Sequence, residues 1–380
     1  MWELKGWIKQ QESNMLGLIE TLVNIDSGSY IKEGIDKVGN VLSGEYAKIG
    51  FETEVHEQQK LGNNLLIRHP EAVNPEILLI AHMDTVFGEG TVAGRPFSRE
   101  GDYAYGPGVI DMKASHATTL YALKALMESG SEAFKNVELV LNTDEEIGSI
   151  ASRELIEQVA KTKKYALILE PAQNGNLVSE RKGGGKYFLK VHGKSAHAGI
   201  EPENGISAIE ELARKILKLH ALTDWEKGIN VNVGLISGGT SVNTIAPFAT
   251  AAIDVRIETW EDGDTVDLAI KEICSYSEIP GTRLELTGNI TRPAWNLTAE
   301  AEALIAIITE EGQKIGLELL HEKSGGGSDA NLTSFAEIPS IDGLGPVGAD
   351  AHQESEYLYI PSLAERTLLL ANVIERLSSK

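Results

Sequence analysis

Three apolar stretches of this 380-residue chain run directly into residues that bind cations. Residues 76–81 lead into His82-Met83-Asp84, 137–141 into Asp144-Glu145-Glu146, and 165–169 into Glu170. Short runs rich in Leu, Ile and Val and bounded by polar residues read as buried strands. In an open parallel sheet the ligand site lies beyond the carboxyl ends of the strands, so the imidazole and carboxylates at those ends converge on one crevice. Metal-assisted hydrolysis requires such a convergence.

The surrounding pattern supports that sheet. From about Leu16 to Val178 helix-like and strand-like segments alternate, with a long helical stretch over 112–128, which predicts an α/β layer with a mainly parallel sheet. Residues 1–20 carry Glu3, Lys5, Lys9 and Glu12 among apolar positions and read as an amphipathic first helix, not as an apolar leader or membrane span. The texture changes at Gly183-Gly184-Gly185, which precede an alternating strand over 186–191. A turn over 193–199, a helix over 205–219, strands over 229–236 and 249–257, a helix over 265–278 and a strand over 283–287 follow. That βαββαβ order is a ferredoxin-like α+β unit. After Arg292-Pro293 the α/β texture returns through a helix over 299–316, a loop at Gly325-Gly326-Gly327 and a last helix over 361–377. The expected division is an outer α/β domain of residues 1–180 and 292–380, split by an inserted domain of residues 181–291.

Composition narrows the chemistry. Asp and Glu outnumber Lys and Arg by 56 to 34, a net charge of −22, and no basic run interrupts the excess. Nucleic acid and anionic membrane are thereby disfavoured as partners, and an anionic substrate needs local arginines or a metal to hold it. The single cysteine, Cys274, excludes an intramolecular disulfide and argues against a sulfur-ligated zinc site, so any cation is expected to be held by nitrogen and oxygen. These features together point to a cytoplasmic protein.

Individual residues carry more than one reading. His82 and Asp84 face the same way on an extended strand end, either as a hydrogen-bonded pair or as a metal-binding imidazole steadied by a carboxylate. Asp111, in Gly106-Pro107-Gly108-Val109-Ile110-Asp111, opens a helix and can be its N-cap or can bridge two cations. Glu145 and Glu146 are adjacent, so their carboxylates point apart: one can ligate while the other serves as a general base, unless the pair is a solvated acidic run. Glu170 and the late imidazole of His352 complete the candidates. His56, His69, His116, His192, His220 and His321 have surface-like or helical contexts without a motif.

Taken in order, Ala81-His82-Met83-Asp84-Thr85-Val86, Ala104-Tyr105-Gly106-Pro107-Gly108, Asn142-Thr143-Asp144-Glu145-Glu146, Ser195-Ala196-His197-Ala198-Gly199 and Gly325-Gly326-Gly327-Ser328-Asp329-Ala330 resemble motifs of the zinc exopeptidase family that includes glutamate carboxypeptidase, succinyl-diaminopimelate desuccinylase, acetylornithine deacetylase and the aminoacylases. The likeness runs from about residue 60 onward and is greatest to the folate-hydrolysing glutamate carboxypeptidases. It implies two zinc ions per subunit, bridged by Asp111, with His82 and Glu170 completing one site and Glu146 and His352 the other. It further implies Glu145 as general base, supported by Asp84 beside His82, and a cis peptide bond after Asp111.

On the inserted domain the resemblance makes His197 a donor to the reaction's oxyanion, supplied in trans within a homodimer formed through that domain. Arg292 becomes the partner of a substrate α-carboxylate, with Asn243, Arg256 and Gly326 as further substrate-side positions; Arg256 can instead be a strand residue paired with Asp254 or Glu258. Where the family's aminopeptidases usually show Asp, this chain has Glu170, which favours carboxypeptidases and deacylases. The leading expectation is therefore release of a C-terminal amino acid, glutamate above all, from peptides or N-acyl conjugates. A deacylase of small N-acyl amino acids is the alternative, and a non-catalytic protein of the same fold a remote one, since every ligand and base position is filled.

Overall fold

A computed structural model describes residues 2–379, which divide into two compact units. The first comprises residues 1–180, 297–324 and 328–380 (described from Trp2 to Ser379), and the second residues 181–296 with Gly325–Gly327.

In the first unit a six-stranded sheet has the order Glu52–His56, Asn64–Arg68, Val137–Asn142, Ile77–His82, Tyr165–Ile168, Ser340–Ile341. Its last four strands are parallel, and the first two pair antiparallel. Ile77–His82 and Val137–Asn142 are buried at every position, because helices including Ala114–Glu128 and Ser362–Ser378 share one core with them. This two-sided burial explains their unbroken apolar runs. Truncating such a core residue, Leu79→Ala for instance, costs roughly 2–5 kcal/mol. The register sets His82 opposite Asn142 and Ile80 opposite Ile168, so the carboxyl ends of the central strands are level.

A smaller antiparallel sheet joins Ser98–Glu100, Tyr103–Tyr105, Tyr357–Tyr359 and Gly348–Ala349. The Gly106–Asp111 loop leaves one of its strands, and the hairpin that carries His352 joins two others. The expected first helix is two, Trp2–Gln10 and Glu12–Val23, broken at Gln11; Met1 lies outside the described residues. The helix expected from 112 begins at Ala114, after an irregular segment Val109–Lys113 in which Asp111 and Met112 have non-helical dihedrals.

The second unit is a four-stranded antiparallel sheet in the order Asn230–Gly238, Phe248–Ile257, Gly183–His192, Arg283–Arg292, with helices Ala208–His220 and Trp260–Cys274. This is the ferredoxin-like arrangement, with its own core around Tyr187, Leu189, Val191, Ile253 and Ile270. Several boundaries differ from expectation, three of them for a local reason. Gly183, Gly184 and Gly185 lie inside the first strand, where a Cβ would stand 2.1 Å from the Val255 carbonyl oxygen at Gly184 and 2.2 Å from that of Asn289 at Gly185. Only glycine admits neighbouring backbones that close. The second helix starts at Trp260, not 265, because the Thr259 hydroxyl accepts the Asp262 N–H and donates to the Asp262 carboxylate, a reciprocal cap. The unit also continues past 291 to Asn296, since Arg292 still pairs with Gly184 and Arg181 with Trp295.

Candidate metal centre

The first unit gathers His82, Asp84, Asp111, Glu145, Glu146, Glu170 and His352 at the carboxyl end of its sheet. Asp111 is the centre of the cluster. One of its oxygens lies 3.0 Å from His82 Nε2 and the other 3.1 Å from His352 Nε2. Glu170 Oε1 is 3.7 Å from the same nitrogen of His82, and Glu146 Oε2 is 3.2 Å from that of His352. The bond between Asp111 and Met112 is cis.

Each group is held by partners behind it. His82 Nδ1 lies 2.9 Å from the backbone carbonyl of Asp84, which can only accept, so Nδ1 carries a proton and Nε2 is turned into the cluster. The Asp84 carboxylate is 3.4 Å from Nδ1 and does other work as well. It accepts the N–H groups of Glu145 and Glu146 at 3.2 and 3.3 Å and the Ser29 hydroxyl at 2.6 Å. Asp84 therefore fixes the strand-end imidazole and the acidic pair together. Glu356, wholly buried, accepts the N–H groups of Gly108, Ile110 and Asp111 at 3.0, 2.9 and 3.1 Å. Burial pushes its carboxyl up to about 7 against those bonds. Buried His116 places Nε2 2.8 Å from the His82 carbonyl oxygen, and burial pulls its imidazole down to about 3.

Ser29, His116 and Glu356 were not singled out by sequence reasoning. His116 has a helical context as expected, but no local pattern signals that its helix is buried on all sides.

The electrostatics are those of crowded carboxylates and imidazoles that share charge. Burial pushes Glu170 up to about 8, with Asp111 and Glu145 adding to it and His82 opposing; burial likewise raises Glu146 to about 7. Burial alone would lower His82, but Glu170, Asp111 and Asp84 outweigh it and hold the imidazole well above its ordinary range. Hydrogen bonds to Asp111 and Glu146 lift His352 to about 10. Asp111 itself lies well below the usual range, burial being overcome by its two imidazole partners. Glu146 Oε1 is buried with no hydrogen-bond partner. Nitrogen and oxygen donors from His82, Glu145 and Glu170 lie within 4.8 Å of one another, as do those from His82, Asp111 and Glu146. The imidazole and carboxylate donors, the orphaned oxygen and the clustered charge all fit divalent cations.

The remaining candidates belong to the second unit. Exposed His197 bridges Thr244 in backbone pairing, its Nδ1 accepts the Gly199 N–H at 3.1 Å, and the Ala198 N–H donates to the Asn243 carbonyl at 2.9 Å, so His197 and Asn243 share one loop pair. Arg256 is bonded by its guanidinium to both oxygens of Asp254, at 2.9 and 3.2 Å, the strand-pair alternative of the sequence reading. The Arg292 side chain lies against Gly327, where a Cβ would come within 2.5 Å of its Cδ. The Gly326 carbonyl accepts Arg181 Nη1 at 3.2 Å.

Known proteins share this chain's sequence and its fold. Carboxypeptidase G2 of Pseudomonas sp. (strain RS-16) is 32% identical over 373 residues, 96% of this chain and 89% of that protein. An M20 family metallo-carboxypeptidase from Sulfolobus solfataricus has the same fold, with a TM-score of 0.80 at 18% identity over 96% of this chain and 99% of that one. So does a dinuclear metal-binding peptidase of the M20 family from Bacillus subtilis, with a TM-score of 0.68 at 17% identity over 98% and 99%. The model of peptidase family M20/M25/M40 matches residues 78–376, which takes in His82, Asp111, Glu145, Glu146, Glu170 and His352, and this chain belongs to that family.

Proposed function

We propose that the protein is a zinc-dependent exopeptidase that hydrolyses an amide bond to release a C-terminal amino acid, glutamate by preference, from peptides or N-acyl conjugates. The observation that carries this reading is the placement of Asp111, one oxygen toward His82 and the other toward His352, with a glutamate beside each imidazole. His82 and Glu170 would hold one zinc, His352 and Glu146 the other, and Asp111 both. Bound there, the two cations supply Lewis-acid polarisation of the scissile carbonyl and acidify water.

Glu145 takes the proton of the attacking water and returns it to the departing amine nitrogen. Its neighbour Glu146 lies 3.2 Å from His352, and Asp84 accepts the backbone N–H groups of both glutamates, which fixes the segment that carries them. Glu145 also lies within ligand distance of His82 and Glu170, so the division of the acidic pair needs a test of metal content. His197 donates to the tetrahedral oxyanion. Arg292 receives the substrate α-carboxylate, with Asn243 and Gly326 beside the bound substrate. Arg256 has a lesser part, because Asp254 already occupies its guanidinium.

A homodimer through the second unit, with His197 serving the partner's site, is part of the same reading. Its support is the edge strand Asn230–Gly238, which leaves Leu235 and Ile236 72% and 67% exposed. Large apolar side chains on a sheet edge are suited to burial by a second copy. Among the described residues no helix is long and apolar enough to cross a membrane; a cytoplasmic location belongs to the same proposed reading.

The decisive experiment is release of free amino acid from a panel of N-acyl-glutamates, N-acetyl amino acids and dipeptides by zinc-loaded protein. Preference set by the C-terminal residue supports the carboxypeptidase; preference set by the acyl group makes it a deacylase; inertness of the whole panel would sink both. Mixing Glu145→Ala and His197→Ala subunits should restore one working site per heterodimer, and verified heterodimers without activity would remove the trans role.

A further inference from the structure

Asp111 and His352 come from segments 241 residues apart, yet their atoms meet at 3.1 Å. One side chain joins the two segments. Glu356 stands at the end of the hairpin that carries His352, immediately before the strand Tyr357–Tyr359, and its carboxylate reaches across to the loop that presents Asp111. Oε1 accepts from both Ile110 and Asp111, and Oε2 from Gly108. Three N–H groups of one loop thus converge on a single carboxylate with no exposed surface. A neutral hydroxyl has one oxygen and could accept two of them at most; spanning all three needs two oxygens on a side chain of this length.

We propose that Glu356 is a positioning residue that sets the Asp111 carboxylate between the two cation positions by locking the 108–111 loop to the His352 hairpin. It touches neither substrate nor reacting atoms. The inference rests on the two-cation reading above. In that reading Asp111 serves both positions; the first adds His82 and Glu170, buried at strand ends, whereas the second adds Glu146 and His352, whose side chain is 51% exposed and whose hairpin is the one Glu356 ties to the loop. Loosening the loop therefore weakens the second position selectively.

The test is titration of metal-free protein with Mn2+, followed by electron paramagnetic resonance, for the wild type, Glu356→Gln and Glu356→Asp, alongside thermal melting of each metal-free form. Wild type should bind two equivalents with exchange coupling between them. Glu356→Gln, which turns an N–H donor toward one loop amide, should keep the first equivalent and weaken the second by about 10- to 100-fold, the range for outer supports of metal ligands, with loss of the coupling. Glu356→Asp, one methylene short, should do the same more mildly. Two equivalents with wild-type coupling in both variants, even with a lowered melting temperature, would overturn the proposal, as would failure of both variants to fold, because the carboxylate would then serve the fold alone. Wild-type protein that binds one ion or shows no coupling would overturn the two-cation reading instead, whatever the variants do.

Discussion

The two units present their functional candidates in opposite ways. In the first, His82, Asp84, Glu145 and Glu170 are all under a tenth exposed, and they stand at or just beyond the ends of strands buried on both faces. In the second, His197 and Asn243 are exposed on loops, and Arg256 and Arg292 are half-buried near strand ends. A metal cluster must be ready before substrate arrives, so most of its groups are packed away from solvent, His352 being the exposed exception; groups that grip substrate or reach a partner gain from access. The contrast predicts that changes in the first unit act on metal content and rate, and changes at Arg292, Asn243 and Arg256 in the second on substrate affinity, with His197, the proposed oxyanion donor, the exception that acts on rate.

The largest effect should come from Glu145→Gln, with turnover lowered by about a hundredfold or more while metal content is unchanged. Metal loss in step with activity would make Glu145 a ligand and blur the contrast. Asp84→Asn comes next. It puts an amide where a carboxylate accepts from Ser29, Glu145 and Glu146, and about 10- to 100-fold loss in metal affinity or activity is expected, measured by competition with a chelator.

Arg292→Ala should raise KM about 10- to 100-fold for substrates with a free α-carboxylate and leave their amides nearly unchanged, the loss of one charged hydrogen-bonding partner. Equal effects on acid and amide would move the carboxylate site elsewhere.

A stability measurement tests the first unit alone. Glu146 and Glu170 have raised folded values near 7 and 8, and His352 one near 10. All three bind protons more tightly folded than unfolded, so the stability they add to metal-free protein is present at low pH and is lost as pH rises from about 5 to 10. The melting temperature of chelated protein should fall across that window, and added Zn2+ should reverse the fall. Lys113 and His116, which burial lowers to about 7 and 3, act in the opposite sense, so a flat profile without metal in a His116→Gln background as well as in the wild type would count against electrostatic strain in the cluster. The smallest effect is expected for Arg256→Ala, below about 1 kcal/mol in stability for a partly exposed ion pair and about threefold in KM.

Much of the first unit is legible in the sequence because two-sided burial writes continuous apolar runs, and the chemistry begins where those runs stop. His82, Glu145, Glu146 and Glu170 are readable for that reason. Asp111 and His352 need family resemblance, since a loop and a hairpin carry no periodic signal. Glu356 and His116 are silent, because their importance lies in carbonyl and amide groups of distant residues that no local pattern announces. In the second unit, Gly183-Gly184-Gly185 reads as a segment ahead of the strand over 186–191, because it lacks the alternating side chains that mark the strand itself. The structure uses the missing Cβ for close approach inside a sheet.

The interruption of the first unit by the second also orders events in time. On the ribosome, residues 181–296 are complete before the strand Ser340–Ile341 and His352 have been made. At roughly 5–20 residues per second the second unit has several seconds in which to fold while the first still lacks a sheet strand and an imidazole. During that interval the nascent chain carries His82, Asp111 and the acidic pair without the residue that closes the cluster. Completion of the second proposed cation position is therefore a late step of biogenesis, and a chain released short of residue 352 would hold an intact inserted unit beside a first unit that lacks an imidazole.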